Sequence, residues 1–310
     1  MCGIIGIISN QPVAGRLVDS LKRLEYRGYD SAGIATLDGG RLDRRRAEGK
    51  LRNLEGRLGE EPLPGTIGIG HTRWATHGAA TEANAHPHAS GPVCVVHNGI
   101  IENFRELKNE LIADGFAFES ETDTEIVAVM VARELKNGAA PRDAVSRILP
   151  RLEGAFALAF LFEGEENLMI GARRGSPLAV GSGEGEMFLG SDAIALSPFT
   201  DTVRYLNDGD WVVLSHDRAE IFDAENRPVD RPVRQAVGKS FNVDKGNYRH
   251  FMQKEMFEQP EVISHTLGAF VDMASGRTRL PAGAEIDFSK VGRIAPVSYT
   301  HLRAHETRED

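Results

Sequence analysis

A chain of 310 residues, 41% hydrophobic and 26% charged, has the balance of an ordinary globular protein and excludes collagen, low-complexity disorder and a small disulfide scaffold. Its formal charge of −9 repels nucleic acid and anionic lipid, which leaves small molecules as the expected partners. No apolar run approaches the roughly 18 residues of a membrane span, and Ile4 to Ile8 is too short for a signal peptide, so a cytoplasmic location is expected.

The first 240 residues alternate short apolar runs with glycine-rich turns. Strands are predicted at Cys2 to Ile8, Ser31 to Thr36, Thr66 to Thr72 and Val93 to His97, then at Ala155 to Phe162, Leu168 to Ala172, Glu186 to Gly190 and Trp211 to Leu214. Several are apolar on consecutive residues, which predicts cover on both faces. Helices are predicted at Val13 to Leu24, Phe104 to Ile112 and Asp123 to Leu135, the first with Leu17, Leu21 and Leu24 on one stripe. Beyond about Pro232 the composition changes. Arg249 to Phe257 reads as a helix that Pro260 interrupts or kinks, Ala282 to Val291 as a polar connector, and Pro296 to Asp310 as an unstructured tail.

Of the two cysteines, Cys94 lies in an apolar strand between Val93 and Val95 and reads as inert packing. Cys2 is different. Removal of Met1 would leave a cysteine with a free α-amine, so that one residue holds both nucleophile and base. The thiol and amine have similar ordinary pKa values, near 8.5 and 8, and exchange a proton at little cost. Taken alone, Cys2 reads more readily as a small apolar residue opening a strand, since position two by itself proves nothing.

Five segments widen the basis for that reading. Cys2-Gly3-Ile4-Ile5-Gly6, the stretch Leu24 to Gly33, His71-Thr72-Arg73-Trp74-Ala75-Thr76-His77-Gly78, His97-Asn98-Gly99-Ile100-Ile101-Glu102-Asn103 and Glu121-Thr122-Asp123-Thr124-Glu125 follow one another in that order. Together they resemble the class II glutamine amidotransferases, most closely the branch that acts on fructose 6-phosphate. The likeness continues through Tyr248 to Glu255 as far as about Ile294. It implies an α+β N-terminal nucleophile hydrolase fold, a four-layer αββα sandwich of two antiparallel sheets. It also implies that the Cys2 thiolate attacks the side-chain amide of glutamine, releasing ammonia and then glutamate.

Individual residues fit these steps. Asn98 and Gly99 can present a side-chain amide and a backbone N–H, and they match the family's oxyanion hole, although Asn-Gly is also a common turn. Arg73 and Asp123 match the residues that hold the carboxylate and ammonium of glutamine. Asp123 has a second explanation, because Thr122 with Glu125 forms a capping-box pattern. Trp74, Thr76 and His77 match a loop that closes over glutamine, while Trp74 could be a core aromatic and His77 a satisfied surface imidazole.

His71, His77, His86, His88 and His97 show no metal-ligand spacing, so neither metal nor other cofactor is expected. The run Gly181 to Glu186 reads as a surface hairpin, not a phosphate cradle. The predicted organisation is therefore a glutaminase domain over 2–240, a linker over 241–294 leading towards absent sugar-isomerase domains, and a non-family tail over 295–310. On this reading the chain alone hydrolyses glutamine. Only a complete enzyme would convert fructose 6-phosphate to glucosamine 6-phosphate, and homodimer contacts of the family would be lost with the missing domains. Two alternatives stay open: the phosphoribosyl amidotransferase branch of the purine pathway, and a catalytically silent module of the same fold.

Overall fold

The computed structural model describes residues 2–235, 248, 250–272, 277–278 and 292, and divides into two units, Met1–Val243 and Asp244–Asp310. The first unit opens with β1 (Gly3–Ile8), α1 (Ala14–Leu24), β2 (Ser31–Asp38), β3 (Arg41–Glu48), α2 (Leu51–Glu60), β4 (Ile67–Arg73), β5 (His88–Ser90) and β6 (Val93–Ile101). Helices α3 (Phe104–Ala113), α4 (Thr124–Lys136) and α5 (Pro141–Ile148) follow. Next come β7 (Gly154–Phe162), β8 (Met169–Arg174), β9 (Ala179–Gly183), β10 (Glu186–Gly190) and the short α6 (Ala193–Leu196). The unit closes with β11 (Thr202–Tyr205), β12 (Trp211–Leu214), β13 (Ala219–Phe222), β14 (Pro228–Val229) and β15 (Val233–Gln235).

These strands form two sheets. One runs β15-β11-β9-β10-β1-β4-β2-β3 and the other β14-β13-β12-β8-β7-β6-β5. Paired strands are antiparallel wherever a register is resolved, for example Gly3 against Thr72 and Asn98 against Ala157. Three buried clusters separate four layers. The first lies between α1, α2, α6 and the eight-stranded sheet, the second between the sheets, and the third between the seven-stranded sheet and α3, α4, α5. This is the sandwich expected from the sequence.

Strand β1 shows why its residues read as one continuous apolar run. Ile4 and Ile8 enter the core between the sheets while Ile5 and Ile7 pack under α1, so both faces are dry. Burying each such side chain is worth about 1.5–3 kcal/mol, which pins the start of the chain in mid-sheet. In β4 the isoleucines Ile67 and Ile69 take the inter-sheet face, and the intervening glycines admit the Leu17 and Leu21 side chains of α1. The run Gly181 to Glu186 spans the β9–β10 hairpin, and Cys94 is buried between the sheets, its thiol pushed up to about 12 by burial.

Strands β3, β5, β9, β11, β13, β14 and β15 and helices α2, α5 and α6 were not predicted from the sequence. In the second unit α7 (Phe251–Phe270) runs through Pro260, so of the expected interruption or kink the interruption does not occur. Proline removes a single N–H donor from the ladder, and the bonds on either side suffice to carry the helix on. Two short strands, β16 (Val271–Asp272) and β17 (Arg277–Thr278), pair after it. The expected connector over 282–291 and the tail over 296–310 lie outside the described residues, apart from the connector's neighbour Gly292. Among the described residues no helix is long and apolar enough to cross a membrane.

Candidate active site

Three strand ends converge where β1 begins. Cys2 immediately precedes β1, β4 delivers Arg73 beside it in the same sheet, and β6 brings Asn98 and Gly99 from the facing sheet. The Cys2 thiol is held by the backbone after β4: Trp74 N–H donates to Sγ at 3.2 Å, and Sγ lies 3.5 Å from the Trp74 carbonyl. Burial, the largest influence, raises the thiol above its ordinary range, and the Trp74 N–H bond only partly offsets it.

Around this sulfur lies a cavity of about 20 Å³ lined by Cys2, Arg73, Trp74, Thr76, His77, Gly99 and Asp123, together with His86, His97, Thr122 and Thr124. That volume holds about one water molecule, and the segment after β4 contributes Trp74, Thr76 and His77 to the lining. Seven of the eight predicted site residues thus share one cavity. The eighth, Asn98, stands behind it, with Nδ2 donating to the Cys2 carbonyl at 3.1 Å.

Arg73 is 3% exposed, and its guanidinium donates to the carbonyls of Ala79 at 3.0 Å, Gly78 at 3.1 Å and His77. The side chain expected to meet a carboxylate therefore also ties down the turn after Trp74. From the other side, Glu121 accepts from Asn84 Nδ2 at 2.9 Å and from Ala79 N–H at 3.3 Å. Asp123 is 4% exposed and accepts from the Ile101 N–H at 2.8 Å, making no cap bond to its own helix. Thr122 does cap Glu125 N–H at 3.4 Å, but the Glu125 carboxylate turns away to Ser120 and the Glu119 N–H, so only half of the expected capping box forms.

A family model described as a glutamine amidotransferase domain matches residues 71–198, which run from the last residues of β4 to just past α6 and include most of these groups but not Cys2. The chain is 68% identical over 294 residues to the glutamine–fructose-6-phosphate aminotransferase (isomerizing) of Brucella suis biovar 1, covering 95% of this chain and 48% of that protein. Its identity to the enzyme of the same name from Mesorhizobium japonicum is 63% over 295 residues, with the same coverage. The chain carries a glutamine amidotransferase domain. It spans about half the length of the curated relatives it matches. Among solved structures, the glutamine phosphoribosylpyrophosphate amidotransferase of B. subtilis superposes with a TM-score of 0.64 at 25% identity, over 72% of this chain and 49% of that one. The phosphoribosyl branch is therefore a relative in fold, while the sequence sides with the fructose 6-phosphate branch.

Within the amidotransferase domain, two residues of the predicted loop make aromatic contacts beside the cavity. Trp74 is half-buried and meets Tyr29 edge to face at 5.6 Å, and His77 packs on Phe104 with its Nδ1 buried and unpartnered. Gly99 has φ +118°, and a Cβ there would lie 2.0 Å from the Ala155 carbonyl oxygen. Gly99→Ala is therefore expected to destabilise the domain by about 2 kcal/mol or more, read from urea unfolding, through strain and a backbone clash.

Several residues that hold the site were not singled out as site residues, although Gly28, within Arg27 to Ser31, suits a tight turn that brings backbone near the cysteine. Asp30 accepts from the Ala75 N–H and lies 3.9 Å from Arg73, fixing the segment that touches Sγ. Gly28 presses on the Arg73–Trp74 peptide so closely that a Cβ would come within 2.6 Å of it. A buried histidine group backs the cavity. His86 Nε2 and His97 Nδ1 share the Thr124 hydroxyl at 2.8 and 2.9 Å, and His88 Nε2 meets Thr122 at 3.0 Å. These imidazoles bond to threonine hydroxyls and are held neutral chiefly by burial. The presence of Asp30 and Gly28 inside one of the five sequence segments was the available signal.

Proposed function

We propose that this chain hydrolyses the side-chain amide of glutamine, with Cys2 as nucleophile. The observation that carries the reading is the single cavity joining Cys2 Sγ to a buried cation, Arg73, and a buried anion, Asp123, beside the Asn98–Gly99 donors. Glutamine has one carboxylate and one ammonium at its far end, and Arg73 and Asp123 are complementary to them. In this position the thiolate adds to the amide carbon, and Asn98 Nδ2–H with the Gly99 N–H receives the oxyanion. Ammonia leaves with the proton taken from sulfur, and water cleaves the remaining thioester to glutamate. Removal of Met1 would supply the base as the Cys2 α-amine.

Steady-state release of ammonia and glutamate from glutamine tests the reading. Asn98→Ala is expected to lower kcat about 10² to 10³-fold with little change in KM, because an oxyanion donor acts mainly in the transition state. A wild-type chain that releases neither product, or an Asn98→Ala variant as fast as the parent, would defeat it.

The wider activity is also a proposal. Because the relatives are named for transfer to fructose 6-phosphate and extend to about twice the length, we infer that amino-sugar formation requires the other half of such a protein. The 310-residue chain is expected to yield ammonia but no glucosamine 6-phosphate when given both substrates. Its net charge of −9 supports small-molecule partners over nucleic acid or an anionic membrane surface.

A further inference from the structure

Asn98 can serve as a donor only if its carboxamide faces the right way. Flipping that group exchanges its two N–H donors for an acceptor at almost no change in shape, so its neighbours must decide. Its Oδ1 lies 3.0 Å from His71 Nε2, and its Nδ2 lies 3.1 Å from the Cys2 carbonyl. The same His71 Nε2 is 2.9 Å from the His97 carbonyl. A backbone carbonyl accepts only, so Nε2 must carry the hydrogen, and Asn98 must then turn an acceptor towards it.

We propose that His71 is a positioning residue for the oxyanion donor: its Nε2–H tautomer, set by the His97 carbonyl, holds the Asn98 amide with its NH₂ towards Cys2. The inference rests on the glutaminase reading above.

Its setting makes the arrangement exclusive. His71 is fully buried, reaching from β4 in one sheet to β6 in the other, where water has no access to replace the bond. Its Nδ1 is buried without a partner, a site that tolerates a lone pair better than an orphaned N–H. Burial also lowers its pKa to about 3, so the neutral tautomer persists through the pH range of catalysis. If the donor at position 71 is lost, the Cys2 carbonyl alone still selects the orientation, and the flipped amide, opposed by one contact instead of two, puts an oxygen where the oxyanion would form.

The test combines kinetics and spectroscopy on the full chain. His71→Leu is expected to lower kcat for glutamine hydrolysis about 10²-fold, approaching the loss of an oxyanion donor, with KM within about twofold. His71→Gln retains an N–H near the Nε2 position and is expected to restore most of the rate. Combined with Asn98→Ala, His71→Leu is expected to cost almost nothing further, because both changes remove the same donor. Full activity in His71→Leu, no rescue by His71→Gln, or costs that multiply in the double variant would each overturn the proposal. Nitrogen-15 NMR of histidine-labelled wild type gives a readout that needs no variant to fold. A proton on His71 Nε2 and none on Nδ1 is expected, and the reverse tautomer would overturn the proposal. An inactive wild type with the expected tautomer would instead fail the glutaminase reading while leaving the geometry intact.

Discussion

A chain that keeps any residue before Cys2, whether Met1 or an uncleaved N-terminal tag, is expected to hydrolyse glutamine about 10² to 10⁴-fold more slowly than one that begins at Cys2. A C-terminal tag should have no such effect. Burial raises the Cys2 thiol, so little thiolate stands ready at neutral pH and the proton must leave as sulfur attacks. The partners of Sγ are the backbone N–H and carbonyl of Trp74, neither of which is a base. Two of the three histidines lining the cavity, His86 and His97, are not poised to take the proton, since each is bonded to Thr124 and buried in a medium that disfavours the imidazolium. An α-amine on Cys2 itself has an ordinary pKa near 7.7 to 8.0, the right range to accept a proton and return it to departing ammonia. As an amide nitrogen it cannot do so. Intact-mass measurement of each preparation, paired with ammonia release, checks this: equal rates with and without residue 1 would remove the amine from the mechanism. Cys2→Ala is the companion control, expected to fold as the parent does and to release no ammonia.

What the sequence made legible follows from how far each contact reaches along the chain. Cys2, Arg73, Asn98 and Asp123 could be picked out because each sits in a short motif that resembles the family's, and its residue type then fits a chemical step. Their helpers could not. His71 and Asn98 are 27 residues apart, and Asn84 and Glu121 are 37 apart. Such pairs are chosen by the stacking of two sheets and by loop closure, which leave no periodic trace. Strand β3 escaped for another reason. As the edge of its sheet it carries Arg41, Arg44, Arg45 and Arg46, the charge that discourages edge-to-edge pairing and that hides any apolar alternation. Two of those arginines then serve the site at a distance: Arg46 donates to the Ala83 and Ala85 carbonyls and Arg44 to that of Pro87, holding the segment that presents His86 and His88. The central strands, by contrast, were easy to read because burial on both faces leaves an unbroken apolar run.

The histidine group sets the second large expectation, a steep loss of stability in mild acid. His71, His86 and His88 all have folded-state pKa values well below their ordinary 6.5, with burial the first cause in each case and His71 lowered to about 3. Their surroundings offer little relief. Arg44, Arg46 and Arg73 and the neighbouring imidazoles oppose a further positive charge, and the nearby carboxylate of Asp123 acts on His97, 3.9 Å away. Below pH 6.5 the unfolded chain therefore binds protons that the folded chain refuses, so the free energy of unfolding falls as pH falls, for His71 until about pH 3. Each histidine contributes a slope of about 1.4 kcal/mol per pH unit once it is charged unfolded and neutral folded, and three together about 4. Against a typical domain stability of about 5–15 kcal/mol, two pH units are enough to threaten the fold. Urea unfolding between pH 6.5 and about 5.2, above the ordinary carboxylate range, is expected to show this slope, rising towards its full value at the acid end. His88→Gln, which can keep a bond to Thr122, should flatten it by about one proton. A stability curve that stays level across that interval would show that these imidazoles accept protons inside the fold, and that the pocket behind Cys2 is far wetter than its packing implies.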